Sequence, residues 1–373
     1  MLGASRNEIL GVPVQREHNV IPYEDISNVD RTKAVVSATE IMEKGWTRRQ
    51  YPLISLNDPI PWALRNQQER SWNFYIHCWD MLDSLLKAYS ETQEKQFVLP
   101  AIRVAEDWAE KHSNLSQADM SPLAWYDMAV GLRAYRLAYI IDAGKGAGLL
   151  DQDLRNKLWA SLEQHQAYLA DDKNIQFQNN HGYYQVVGQL AMGRRFAGES
   201  PVMAQALKQG NARLKVMLTQ QFAKDGVHRE HSPDYHRMVY DTLKSMIDSR
   251  LVEEAETIAF AETIEKALSW FVLPSQHIVN FGGSDYRLMR VKPTEAERKW
   301  RLPEMRYAAS GGKVGRLPAE QLAIFSEGGY VVVRTPANDA PQDFSKSSYL
   351  AQTVAFHSRT HKHADDLSFI WSD

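Results

Sequence analysis

The chain has one cysteine, Cys78, in 373 residues. A single thiol cannot form an intramolecular disulfide and cannot build a Cys-rich zinc site. Basic charge is not in excess either: 43 Lys and Arg stand against 46 Asp and Glu, a net charge of −3. A general nucleic-acid binder carries a basic surplus, so no nucleic-acid partner is expected. Long apolar runs are missing. The run from Leu268 to Leu273 is interrupted by Ser269 and falls far short of the ~20 residues of a membrane span, so no membrane partner is expected. The opening MLGASRNEILGVPVQREHNV lacks the apolar stretch of about 7–15 residues that marks a secretory leader. Localisation stays open: periplasmic or secreted if a leader has been removed, cytoplasmic otherwise. No GxxxxGK[ST] phosphate loop, strand-linked GxGxxG, GxSxG elbow or HExxH pair occurs, which leaves several common nucleotide, hydrolase and protease chemistries without their motif. Cys78 falls in an apolar helical stripe and reads as core rather than nucleophile.

What is present is aromatic: 10 Trp, 16 Tyr and 12 Phe. Such a stock suits a carbohydrate cleft and suits a thick helical core equally well. At roughly 150 residues per domain the length suggests two or three domains. From about residue 30 to 275 the apolar spacing is helical, as in Phe74, Cys78, Met81, Leu85 and Tyr89, or Trp125, Met128, Leu132, Tyr135 and Tyr139. A third stripe runs through Leu154, Leu158, Leu162, His165 and Leu169. Ser121-Pro122, Ser200-Pro201 and Ser232-Pro233 read as N-caps followed by a first-turn proline. Gly144 and Gly226 read as helix stops. The pattern predicts about eight to ten helices of roughly 12–22 residues, a set that fits a toroid of helical hairpins. After a glycine-rich transition the period changes to two. Ile324-Phe325, Tyr330 to Val333 and Tyr349 to Phe356 read as strands, and Leu367, Phe369 and Trp371 share one face of another. The expected fold class is therefore mainly α, with a helical domain over 1–315 and the start of an antiparallel β domain over 316–373. A chain that stops within a strand pattern reads as truncated, and exposed strand edges would favour self-association.

Three stretches carry candidate chemistry. Asn179-Asn180-His181-Gly182-Tyr183-Tyr184 opens an otherwise apolar helix. It reads either as an Asn-capped helix start or as amide and imidazole donors aimed at a substrate carboxylate. The second runs from Asp225 to His236 and holds His228, Arg229, Glu230, His231, Tyr235 and His236. With Ser232 as N-cap, Tyr235 sits in the first helical turn, where the helix dipole and neighbouring cations favour a phenolate. A tyrosine so placed can transfer protons; the plainer reading is a polar loop and cap. The third is His361-Lys362-His363-Ala364-Asp365-Asp366. On a strand His361, His363 and Asp365 share a face, toward a metal, a substrate or solvent alone.

Taken together, NNHGYYQVVGQL, DGVHREHSPDYHRMV and FHSRTHKHADDLSF resemble the heparinase II/III-type polysaccharide lyases. NDPIPW with the helix from Trp72 to Asp83, and SPLAWYDMAVGLRAYRLA, fit the same family more weakly, so the resemblance spans roughly residues 57–373. It implies an incomplete (α/α) toroid followed by an antiparallel β-sandwich, and eliminative cleavage of uronic-acid-containing polysaccharides. It implies carboxylate neutralisation by Asn180 and His181, proton transfer by Tyr235, and His361 across the cleft. Arg229, Glu230, Tyr184 and His236 are expected to bind substrate or to support the residues that do. The chemistry needs no cofactor. His363 is similar to a ligand of a structural zinc, whose other ligands in the family follow this motif and are absent here. The expected partner is an acidic polysaccharide.

Two rival readings remain at this point. A helical toroid also suits a glycoside hydrolase, which needs two carboxylates at a set separation; Glu230, Asp234 and Asp285 are the candidates. A non-catalytic fragment that binds acidic glycan is the other.

Overall fold

A computed structural model describes residues 19–26, 30–62, 70–112, 123–354 and 367–372. Twelve α-helices and one four-stranded sheet occur among these residues. No helix among them is long and apolar enough to cross a membrane. The chain forms two compact units. The first runs through Asn174 and takes in Val187–Lys208; the second holds Glu24–Ile26, Ile175–Val186 and everything from Gln209. The expected boundary at 315 falls within the second unit.

In chain order the helices are α1 Ala34–Lys44, α2 Arg70–Cys78, α3 Asp83–Thr92, α4 Lys95–His112, α5 Asp127–Gly146 and α6 Gln152–Ala170. They continue with α7 His181–Phe196, α8 Pro201–Gln221, α9 Pro233–Asp248, α10 Ala255–Trp270, α11 Pro293–Lys299 and α12 Pro303–Ser310. Ser200 and Ser232 directly precede Pro201 and Pro233 as the sequence predicts; Ser121 and Pro122 lie outside the described residues. Two expectations are corrected. The stripe from Phe74 to Tyr89 belongs to two helices, because Trp79 adopts a left-handed φ of 64° and a short 3-10 turn follows before α3. The apolar spacing carries on across this break, so periodicity alone hides it. Gly144 does not stop α5, which continues to Gly146; the left-handed glycine is Gly148, at φ 66°.

Helix α5 organises the first unit. It is buried on almost every side and packs against α2, α4 and α6. Small residues such as Ala134 and Ala138 permit that enclosure, and a helix enclosed all round is a core helix. Two of its arginines are interior. Arg136 donates through Nε to Asp83 Oδ1 at 2.9 Å and through Nη2 to Oδ2 at 2.6 Å, while the Tyr23 and Tyr135 hydroxyls donate to the same carboxylate at 2.6 and 3.2 Å. Arg133 lies over the Trp108 ring, 3.8 Å from its centroid, and donates to His165 Nε2 at 2.8 Å and the His77 carbonyl at 2.8 Å. Cys78 is buried, as its place in the stripe suggests.

In the second unit α10 packs on α9 and α12, and α11 packs on α12. The strands β1 Leu322–Phe325, β2 Tyr330–Thr335, β3 Ser348–Thr353 and β4 Phe369–Ser372 pair antiparallel in that order. One face is buried through Phe325, Tyr330, Val332, Arg334, Tyr349 and Ala351. Helix α10 ends beneath it, with carbonyls that have no partner within the helix. Arg334 Nη2 takes those of Ser269 at 3.2 Å and Trp270 at 3.3 Å, together with that of Val272 at 2.7 Å. Burial lowers the Arg334 pKa to about 10. On the other face Leu322, Val333, Leu350 and Trp371 align across all four strands, as do Ile324, Val331, Gln352 and Phe369. This face is apolar and open: Phe369 and Trp371 are each 66% exposed.

Candidate active site

The chain leaves α8 at Gln221 and turns back on itself, with Phe222 bridged to His228. The Ala223 amide donates to the Val227 carbonyl at 2.8 Å. Gly226 makes the turn possible: its φ is 86°, and a Cβ there would stand 2.5 Å from the Thr263 carbonyl oxygen. Asp225 then fixes the turn to the β1–β2 connection. Its Oδ2 accepts from the Glu327 and Gly328 amides, both at 2.9 Å.

Beyond the turn, Ser232 caps α9 and accepts from the Tyr235 amide at 3.4 Å. Tyr235 is half-buried in the first helical turn, where the Ser-Pro signal places it. Ser284 joins the cap, with its Oγ 2.9 Å from Ser232 Oγ and accepting from the Asp234 amide at 3.2 Å. Asp234 accepts from Arg237 Nε at 2.8 Å and Arg287 Nε at 3.0 Å. Burial pushes its carboxyl up, but the bonds from the two guanidiniums outweigh that and hold it below the usual range. A carboxylate held this way is a poor general acid, which weakens the hydrolase reading. His236 is buried, donates through Nε2 to the Ile264 carbonyl at 2.9 Å, and meets Phe222 and Phe271 edge-on. Burial lowers its pKa to about 4. Of its two expected roles, only support from within the core fits such a placement.

The Asn-rich segment adjoins this one. Asn179 is the cap: its Oδ1 accepts from the His181 amide at 2.9 Å and its carbonyl from the Gly182 amide at 3.4 Å. Asn180, His181 and Tyr184 are half-buried at the start of α7. The Asn180 side chain makes no hydrogen bond among the described residues. Gly182 has no room for a side chain, since a Cβ would lie 2.3 Å from the Gln176 carbonyl oxygen.

Gln221 brings the two segments together. Its Nε2 donates to the carbonyls of Phe177 at 2.8 Å and Asn179 at 3.2 Å, and its own carbonyl accepts from the Arg229 amide at 2.7 Å. Tyr183 and Glu230 are both buried. Burial raises the Tyr183 phenol, and the nearby Glu230 charge raises it further. Gln221 thus joins the segment that carries Asn180, His181 and Tyr184 to the one that carries Arg229 and Glu230, with Tyr235 on the helix that follows. His361 and His363 lie outside the described residues, and so does the zinc expectation attached to His363. Among the described residues no group of three or more His, Cys, Asp or Glu is placed to hold a metal ion. Gln221, Asp225, Ser284 and Arg287 were not anticipated. The Asp225-Gly226 pair is a turn signal, but nothing local announces that Asp225 reaches a connection a hundred residues on.

Residues 6–287 match the profile described as "Heparinase II/III N-terminus". Among solved structures, the heparan sulfate lyase HepC from Pedobacter heparinus aligns with a TM-score of 0.69 at 18% identity, covering 93% of this chain and 55% of that one. A heparinase III with methylated lysines aligns at 0.67 and 16% identity, covering 96% and 59%. Another heparinase III aligns at 0.65 and 16% identity, covering 97% and 60%. The chain therefore spans somewhat over half the length of these structures and shares their fold across nearly all of its own. Among curated proteins no sequence matches it.

Proposed function

The chain belongs to the heparinase II/III family, and from that premise we propose that it is a polysaccharide lyase. It cleaves a uronic-acid-containing polysaccharide by β-elimination and leaves 4,5-unsaturated uronate ends. The observation that carries this reading is Gln221, which ties the Asn180–His181 segment to the segment leading into Tyr235.

The C5 hydrogen of a uronate is α to a carboxylate, so its removal piles a second negative charge onto an anion. Asn180 and His181 hydrogen-bond that carboxylate and spread the developing charge; a preorganised donor of this kind is worth about 10²–10³ in rate. Tyr235 or His361 takes the C5 proton. The electron pair forms the C4–C5 double bond, the bond from C4 to the glycosidic oxygen breaks, and Tyr235 protonates the leaving oxygen. Arg229 attracts the acidic chain, and Glu230 and His236 hold the segment from within.

Elimination creates a conjugated double bond and hydrolysis does not, so ultraviolet absorbance on a panel of uronic-acid polymers separates the two. Tyr235→Phe keeps the half-buried ring and removes the hydroxyl. Its rate is expected to fall by about 10²–10⁴, the range of general acid–base catalysis. Full activity in this variant would sink the role given to Tyr235.

A further inference from the structure

The end of α8 and the start of α10 frame a pocket of about 550 Å³ whose lining shares only Arg229 with the residues given a part in the elimination. That volume lies within the roughly 300–1,000 Å³ of small-ligand sites. Its apolar part is Leu218, Phe222 and Phe260, the two rings meeting edge to face with centroids 6.3 Å apart. Around it stand three cationic side chains, Lys215, Lys224 and Arg229, against one carboxylate, Glu256. Asn180, His181, Tyr184 and Tyr235 do not line it.

Arg229 is the informative residue. Its amide is held by the Gln221 carbonyl at 2.7 Å and its Nε by the Phe222 carbonyl at 3.1 Å. The half-buried guanidinium is thus fixed by its inner nitrogen, and its two terminal nitrogens make no ion pair with a carboxylate among the described residues. A guanidinium preorganised in this way is matched to the two oxygens of a carboxylate or sulfate. The two lysines are only loosely engaged: Lys215 lies 3.9 Å from Glu256 and Lys224 lies 4.0 Å from Glu327, all on exposed side chains. Pairs of that kind yield readily to a better anion.

We propose that this pocket is a second binding site for an acidic saccharide unit, with the anionic substituent on Arg229 and the lysines and the sugar ring on the phenylalanine floor. The proposal rests on the acidic-glycan substrate of the reading above. It adds a point of attachment separate from the reacting residues. Because Arg229 and Asn179 are both bonded to Gln221, a ligand here bears on the same support as the carboxylate-binding segment.

The test is isothermal titration of the full chain with a heparan sulfate hexasaccharide, its desulfated counterpart, and sulfate ion alone. Removing both loosely held cations in Lys215→Ala/Lys224→Ala is expected to weaken hexasaccharide binding about tenfold, the equivalent of ~1.4 kcal/mol. Glu256→Gln is expected to tighten it by about twofold, since it removes the opposing charge from a side chain that is 90% exposed. Retention of affinity by the desulfated sugar assigns the contact to carboxylate; its loss assigns it to sulfate. Unchanged affinity in these variants, no hexasaccharide binding by the wild type, or sulfate ion binding as tightly as the sugar would overturn the proposal. Unsaturated product measured on the same samples separates the two readings. Product formation with affinity indifferent to the variants removes the pocket and leaves the lyase. Affinity that tracks the variants without product removes the lyase and leaves the pocket.

Discussion

In the first compact unit Asp83 is enclosed by Arg136, Tyr23 and Tyr135, and all four side chains are buried. In the second, Arg229 is held by one nitrogen, Asn180 is half-buried, and Tyr235 stands half-exposed at a helix start. Both regions are polar and both are tied by hydrogen bonds. The first spends its polar groups on one another and fixes the packing of α3 and α5. The second fixes its backbone through Gln221, Asp225 and Ser232, while the Asn180 amide and the terminal nitrogens of Arg229 have no hydrogen bond or ion pair among the described residues. Such leftover groups, on a backbone that cannot relax, are what a binding or reacting site requires.

Acid should separate the two units most strongly. Burial lowers the pKa of His77, His112 and His165 in the first unit and of His236 in the second, and the Arg133 cation lowers those of His77 and His165 further. Each is kept neutral by the fold while the unfolded chain protonates near 6.5. The stabilisation is complete above about pH 6.5 and is lost as the pH falls toward 4, because the unfolded state then binds the proton. For His236 alone, lowered to about 4, the loss approaches ~3 kcal/mol. Amide hydrogen exchange between pH 7 and 4 should show protection failing first in α4–α6, and equal loss in α9 would break the comparison.

Next in size is the enclosed ion pair. Asp83→Ala removes two of the bonds that hold the buried Arg136 and leaves it Asp80, 3.1 Å away, as its remaining carboxylate, which should cost about 3 kcal/mol in urea unfolding. Replacing both partners, Asp83→Leu with Arg136→Met, should recover most of it. A single-variant loss below about 1 kcal/mol would show that this network is not closed. The smallest effect belongs to the open region. Ser232→Ala removes the α9 cap and should lower stability by about 1 kcal/mol. Its effect on product formation should be proportionally larger, because the Tyr235 amide is what the cap holds. Equal wild-type activity at the lower melting temperature would show that the cap serves α9 alone.

These contrasts also explain what could be read in the sequence. Ser232-Pro233 places Tyr235 because capping is local chemistry, settled within four residues. The alternation of Tyr330, Val332 and Arg334 against Val331 and Val333 gives the strand faces for the same reason. Trp79 was not legible: a left-handed residue between two helices leaves the three-and-four spacing intact. Arg133 and Arg136 were not singled out either, since on a helix that is apolar nearly all round an arginine looks like the solvent side. Gln221 was the largest omission at the site. One glutamine at a helix end has no pattern, and its meaning comes from carbonyls more than forty residues earlier.

That glutamine has a bearing on engineering. A graft of the Phe177–Tyr184 segment from a relative would arrive without the amide that donates to its Phe177 and Asn179 carbonyls. A graft of the Asp225–His236 segment would lose the carbonyl that seats Arg229. The two motifs are therefore one transplantable part, and its smallest unit is the span that includes the last turn of α8.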